Sequence, residues 1–169
     1  MNAAAPGNAG RHCLAARFAD GPHVAAPNSA DQRLTDWFAE LEPAQSAALE
    51  ALLGHPFARD ILRGIAEYSP YLFELARADA ARLIRILSCD PEPHLASLIE
   101  TTSREVLAAG SEAEVMVLLR RMKAEAALMI ALCDIGGVWP VMRVTAALTD
   151  IAVNSVQLAL RYLFRQEVA

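Results

Sequence analysis

Apolar residues recur at intervals of three and four along most of the chain from residue 29 onward, which is the period of one helical face. The first such stripe contains Leu34, Trp37, Phe38 and Leu41. Val and Ile do not alternate with polar residues, so the pattern gives no indication of strands. The sequence therefore predicts an all-α domain over residues 29–169, a bundle of about seven to eight helices.

Residues typical of helix N-termini mark where several of these helices begin. Ser69 precedes a proline, Asp79 can cap the helix after that one, and Ser111 with Glu114 forms a capping box. A proline-rich break is predicted over residues 89–93. Helix is expected to resume at about His94.

The two longest predicted helices come last and are joined at Gly136-Gly137. A short glycine turn between two amphipathic helices predicts a long antiparallel pair. Pro140 opens the second of the two. Its apolar positions are Val144, Leu148, Ile151, Ala152, Val156, Ala159, Leu160 and Leu163.

Residues 1–28 differ from the rest of the chain. They are rich in Ala, Gly, Pro and Asn and show no helical period, so we expect a mostly disordered lead-in. The whole chain has 169 residues, of which 54% are hydrophobic and 21% are charged. That composition excludes disorder for most of the chain and allows one ordinary domain with a core.

Charge and hydropathy exclude several function classes. The formal net charge of −5 gives no basic surface for nucleic acid. The charge-free stretches of the apolar C-terminal half, 126–133 and 135–142, are too short for a membrane span, and the N-terminus lacks a signal-peptide run. Three widely spaced cysteines do not indicate a disulfide scaffold. We therefore expect a cytoplasmic protein with free thiols.

No residue pattern predicts a catalytic, cofactor-binding or metal-binding site. Cys89 and His94 have the nearest thing to metal-ligand spacing, but both also suit a surface turn. Cys133 stands on an apolar face and is expected to be a buried thiol. Gly136-Gly137 has neither a preceding strand nor a following lysine, so a helix–helix turn suits it better than a phosphate loop.

Two acidic residues within the apolar C-terminal segments need partners. Asp134 lies near a helix C-terminus, where the helix dipole disfavours it. Solvent or a salt bridge to Arg120, Arg143 or Arg161 would offset this, and a contact to a neighbouring domain is the alternative. Glu125 follows Arg121 by four residues, which predicts a pair on one helix.

The last third resembles a known family. Its motifs are Leu118-Leu119-Arg120-Arg121, Ile130-Ala131-Leu132-Cys133-Asp134-Ile135-Gly136-Gly137-Val138-Trp139, Ala147-Leu148-Thr149-Asp150-Ile151-Ala152 and Leu158-Ala159-Leu160-Arg161-Tyr162-Leu163. In this order they are similar to the segment that precedes the first nucleotidyltransferase domain in glutamine synthetase adenylyltransferase/adenylyl-removing enzymes. The stretches Ser69-Pro70-Tyr71-Leu72-Phe73-Glu74-Leu75 and Ala80-Ala81-Arg82-Leu83 resemble the family's more N-terminal part, so the likeness covers roughly Leu49 to Phe164.

The resemblance implies a long bifunctional parent enzyme with two similar halves. One half attaches AMP to a tyrosine of glutamine synthetase, and the N-terminal half removes it by phosphorolysis, which yields ADP. A PII protein and glutamine set the balance. The family's chemistry uses ATP or ADP and Mg²⁺, which is held by an Asp-x-Asp pair that follows a Gly-Ser or Gly-Gly loop.

This chain departs from the family pattern because no such loop with an Asp-x-Asp pair occurs in it. No catalytic, cofactor or metal residue is therefore carried over, and Asn154 stands where an acidic residue is expected. We expect an N-terminal helical portion, inactive alone, that orients a missing nucleotidyltransferase domain. The alternatives are a free-standing adaptor that binds glutamine synthetase or a PII-type regulator, and a generic helical domain.

A missing domain predicts an uncovered apolar surface on the last helix pair. The candidate residues are Trp139, Val141, Met142, Tyr162 and Phe164.

Overall fold

The computed structural model describes residues 12–25 and 27–168, and every regular element in these ranges is a helix. The elements are α1 (Leu14–Arg17), α2 (Pro27–Ala39), α3 (Pro43–Leu52), α4 (Ala58–Tyr68), α5 (Pro70–Arg77), α6 (Ala80–Ser88), α7 (Pro91–Ala108), α8 (Glu112–Ile135) and α9 (Val141–Val168). The all-α class is confirmed. The described helices number eight when the four-residue α1 is set aside, in agreement with the predicted count.

Capping residues begin helices where the sequence predicts them. The backbone N–H of Arg82 donates to the Asp79 side chain at 2.9 Å, which caps α6. The N–H of Glu114 donates to the Ser111 hydroxyl at 3.3 Å, which caps α8. The Glu114 carboxylate reaches back to the N–H of Gly110, so two otherwise unpaired donors near the start of α8 are satisfied.

The predicted break before α7 is wrong in position. Helix α7 begins at Pro91 instead of His94. Proline is tolerated in a first helical turn because the N–H groups of that turn have no partner inside the helix. Pro91 and Pro93 both lie in that turn, where a missing N–H costs nothing.

A segment that was predicted to be disordered belongs to the core. We call Cys13–Phe18 the N-terminal strap. Leu14 and Ala15 are fully buried, and Phe18 is 6% exposed. The N–H of Leu14 donates to the Cys89 carbonyl at 2.7 Å. The expectation of a disordered lead-in is therefore wrong for the strap, whose four-residue helix is too short to show a period. Residues 1–11 lie outside the described residues.

The hydrophobic core has a main part and a smaller one. The main part lies among the strap and α2–α9. The smaller part is formed where the end of α7, the start of α8 and the second half of α9 meet, by Val106, Ala109, Val115, Leu158 and Tyr162. Helices α8 and α9 are the longest and contact each other. Their antiparallel course stays a prediction.

Candidate partner-docking site

One side of α9 is apolar and uncovered. Its large exposed side chains, which we call the α9 face, are Val141, Met142, Leu148, Val153, Val156, Leu160, Leu163 and Phe164. Met142 is 75% exposed and Val156 is 60% exposed. The opposite side of the helix is buried against the bundle through Val144, Ala147, Ile151, Leu158 and Tyr162. Helix α9 is therefore apolar on two sides, and only one of them is packed.

The structure corrects the predicted surface at two of its five residues. Val141, Met142 and Phe164 are exposed as expected, but Trp139 and Tyr162 are only 4% and 5% exposed. Tyr162 belongs to the smaller core. Trp139 lies between α8 and α9 in sequence and belongs to the main core.

The apolar positions predicted for the last helix include the middle of the α9 face, but the helical period alone does not say which of them are buried. Leu148, Val156, Leu160 and Leu163 are exposed. The sequence does contain a sign of the second apolar face, since apolar residues stand at consecutive positions such as Leu158 to Leu160. A helix that is apolar over most of its circumference has two faces to cover.

A shallow groove of about 370 Å³ runs between α8 and α9 beside this face. Its lining is mostly small or apolar, with one lysine: Lys123, Ala127, Ile130, Leu148, Ile151, Ala152, Ser155 and Val156. Small side chains such as Ala127 and Ala152 allow another backbone to approach closely.

A charged cluster fixes the turn from which α9 departs. Arg17 of the strap donates to both oxygens of Glu92, at 2.9 Å from Nη2 to Oε1. The indole Nε1–H of Trp139 donates to the same carboxylate at 2.7 Å. These donors, Arg17 above all, hold the pKa of Glu92 well below its usual range. Arg143 lies over the Trp139 ring, 4.8 Å from its centroid.

Asp134, at the same turn, is exposed to solvent. Within the described part of the chain no arginine lies at ion-pair distance from it, so the predicted interhelical salt bridge is not found there. Solvent is the offset that the structure supports.

Glu125 is the most buried carboxylate in this half of the molecule, and its partners differ from the predicted one. Arg85 donates from Nε at 3.0 Å, and the His94 Nε2 lies 2.7 Å from Oε1. Burial opposes the charged form of Glu125, but hydrogen bonds from His94 and Arg85 overcome it and lower its pKa to about 2. Interactions with Cys89 and with the hydrogen-bonded Glu125 carboxylate raise the pKa of His94 to about 9.

The sequence placed Cys89 and His94 together, and Cys89 is the largest of the influences that raise the pKa of His94. Within residues 12–25 and 27–168, however, no group of three or more His, Cys, Asp or Glu side chains could hold a metal ion. Burial, as the largest cause, raises the pKa of the Cys133 thiol far above its usual value, which suits the expected inert thiol. None of the described helices is long and apolar enough to cross a membrane.

These features define the class of the protein: an all-α protein whose most distinctive surface is an uncovered apolar helix face. Residues 60–169 match the family model for glutamate-ammonia ligase adenylyltransferase. The chain belongs to this family.

Curated relatives agree with the family match. The bifunctional glutamine synthetase adenylyltransferase/adenylyl-removing enzyme of Bradyrhizobium diazoefficiens is 68% identical over 100% of this chain, which covers 17% of that enzyme. The enzymes of the same name from Rhodopseudomonas palustris (strain BisB5) and Xanthobacter autotrophicus are 57% and 45% identical over 92% and 94% of the chain, and 16% of each enzyme is covered. The chain thus spans about one sixth of these relatives. No solved structure matches it.

Proposed function

We propose that this chain is the N-terminal helical portion of a bifunctional glutamine synthetase adenylyltransferase/adenylyl-removing enzyme, and that the α9 face packs against a nucleotidyltransferase domain of that enzyme and orients it. The identity over the whole chain and the one-sixth coverage of the relatives support the first part. The single observation that carries the second part is the uncovered α9 face.

The energetics favour a covered α9 face. Fully burying one aliphatic or aromatic side chain contributes about 1.5–3 kcal/mol, and the eight large side chains of the face are still roughly half exposed or more. Covering them therefore stabilises a complex by several kcal/mol, on the order of what a specific interface needs. Contiguous apolar surface of this extent marks an interaction site rather than an ordinary helix exterior.

In this proposal the chain carries no step of the nucleotidyl transfer. The catalytic domain supplies the groups that hold the nucleotide and Mg²⁺, and this helical unit fixes that domain's position relative to glutamine synthetase. The isolated chain is accordingly inactive, and the enzyme works in the cytoplasm, where a PII-type regulator also acts on it.

A chimera tests the proposal. This chain replaces the matched segment of the Bradyrhizobium diazoefficiens enzyme, and both adenylylation and adenylyl removal are assayed on glutamine synthetase. Val156→Asp combined with Leu160→Asp places two carboxylates on the α9 face. We expect both activities to fall at least about tenfold, because each unpaired charge buried at an apolar interface costs more than 1.4 kcal/mol.

Gln157→Asp is the matched control, since Gln157 is an exposed polar position on the same helix. It should leave both activities within about twofold. Full activity of the doubly substituted chimera contradicts the docking role. Turnover by the isolated 169-residue chain, or its direct binding to glutamine synthetase in a pull-down, contradicts the orienting role and supports a free-standing adaptor.

A further inference from the structure

The groove between α8 and α9 has the shape of a seat for a helix. Its lining includes Ala127 on the α8 side and Leu148, Ala152, Ser155 and Val156 on the α9 side. The α9 face beside it extends from residue 141 to residue 164, which is about 35 Å at 1.5 Å per residue. A straight apolar strip of that length fits one long helix better than a loop, whose backbone would bring unpaired polar groups to the contact.

One exposed side of α8, next to the groove, carries charges of both signs. It is formed by residues spaced four, four and three apart, which are Glu112, the uncharged Met116, Arg120 and Lys123. Lys123 is the only one of these that lines the groove itself. The same side reaches exposed Asp134 near the turn. The centre of this edge is therefore basic, and its two ends are acidic.

We propose that the groove holds an amphipathic helix contributed by the rest of the same enzyme polypeptide, with carboxylates placed opposite Arg120 and Lys123. This proposal rests on the proposed function and names the element that covers the α9 face. The apolar side of that helix contacts Leu148 and Val156, and small groove residues let its backbone approach.

Charge and chain length favour this occupant over a second copy of the chain. The eight residues of the α9 face are all apolar, so a second copy docked through its own α9 face brings no carboxylate of that face to Arg120 and Lys123. The relatives, in contrast, carry about five sixths of their length outside the matched segment, which provides a source within the same polypeptide.

Lys123 allows a direct test because it is the only lysine in this chain. In the chimera described above, a water-soluble carbodiimide activates carboxylates, and the Lys123 amine displaces the activated group to form an amide, while the carbodiimide leaves as the urea. Mass spectrometry then identifies the partner carboxylate. Mixing ¹⁵N-labelled with unlabelled enzyme separates links within one polypeptide from links between two.

We expect one dominant intramolecular link from Lys123 to an Asp or Glu outside the 169-residue segment. The residues around that Asp or Glu should show the apolar period of a helix. Lys123→Arg should abolish the link, because a guanidinium has no amine that can displace the activated carboxyl group. Ala152→Trp should fill the groove and reduce the activities at least about fivefold, whereas Ala113→Trp, at an exposed site near the start of α8, should not.

Three outcomes overturn the proposal: links only between copies, links only within the 169 residues, or no link from Lys123 at all. Activity that survives Ala152→Trp also overturns it. The proposed function is tested separately, by the activities of the chimera with Val156→Asp and Leu160→Asp. If those substitutions inactivate the chimera while Lys123 forms no link, the α9 face is covered by something other than an acidic helix.

Discussion

The contact between Gly136 and the N-terminal strap makes a sharp prediction about stability. A methyl group placed on Gly136 would stand 2.2 Å from Cδ1 and 2.8 Å from Cε1 of Phe18, and 3.0 Å from Cδ1 of Ile61. The N–H of Ala19 also donates to the Gly136 carbonyl at 2.9 Å. Gly136→Ala therefore forces the strap and the α8–α9 turn apart.

The magnitude follows from two opposing effects. Overpacking a core typically costs about 1–3 kcal/mol. Alanine also reduces the entropy of the unfolded chain, which returns about 0.4–1 kcal/mol. We expect a net loss of about 1–2 kcal/mol. In a protein of this length that corresponds to a fall in Tm of roughly 2–8 °C.

Urea unfolding of the 169-residue chain, followed by circular dichroism, measures the loss. In a Phe18→Ala background the clashing ring is absent, so adding Gly136→Ala should cost little or nothing. Gly110→Ala is the matched control, because nothing lies within 4 Å of a methyl group there. Equal losses from Gly136→Ala in both backgrounds, or no loss in the unmodified chain, would refute the seated strap.

Three further predictions concern the ion pairs and the hydrogen bond of Trp139. The pKa of His94 is raised to about 9, so its contribution to stability is fully present below about pH 6.5 and is lost as pH rises to 9. The pKa of Glu125 is lowered to about 2, so its contribution is present above about pH 4.5 and is lost as pH falls to 2. The free energy of unfolding should fall as the pH is raised from 6 to 10, and His94→Gln should make this fall smaller. The same dependence on pH in the variant would contradict the pairing of His94 with Glu125. Trp139→Phe removes the indole donor to Glu92, which should cost about 1 kcal/mol in urea unfolding, and less than that in a Glu92→Gln background if the hydrogen bond matters.

The sequence predicts the elements that depend on local chemistry. Asp79 and Ser111 cap their helices as expected, since a cap depends on a side chain and the N–H groups a few residues later. The positions of α8 and α9 follow from their periods and the glycine turn. The family resemblance also rests on local strings of residues and is confirmed by the family match.

Contacts between distant residues could not be predicted in the same way. Glu125 pairs with Arg85 and His94, which lie 40 and 31 residues away, instead of with its helical neighbour Arg121. The burial of Leu14 depends on a groove made by later helices. For α9, the period reveals apolar positions but does not tell which side meets the bundle, so buried Trp139 and Tyr162 were predicted to be uncovered and the exposed middle of the α9 face was not singled out.

The strap also bears on the order in which the molecule folds. It is the first described segment to leave the ribosome, yet Arg17 finds its ion-pair partners 73 and 75 residues later. Contacts of such long sequence separation form late, because a large loop must close first. The strap thus closes the bundle only after α9 has begun to emerge at the turn. A nascent chain halted before that turn would expose an unfilled groove, which is a target for chaperones.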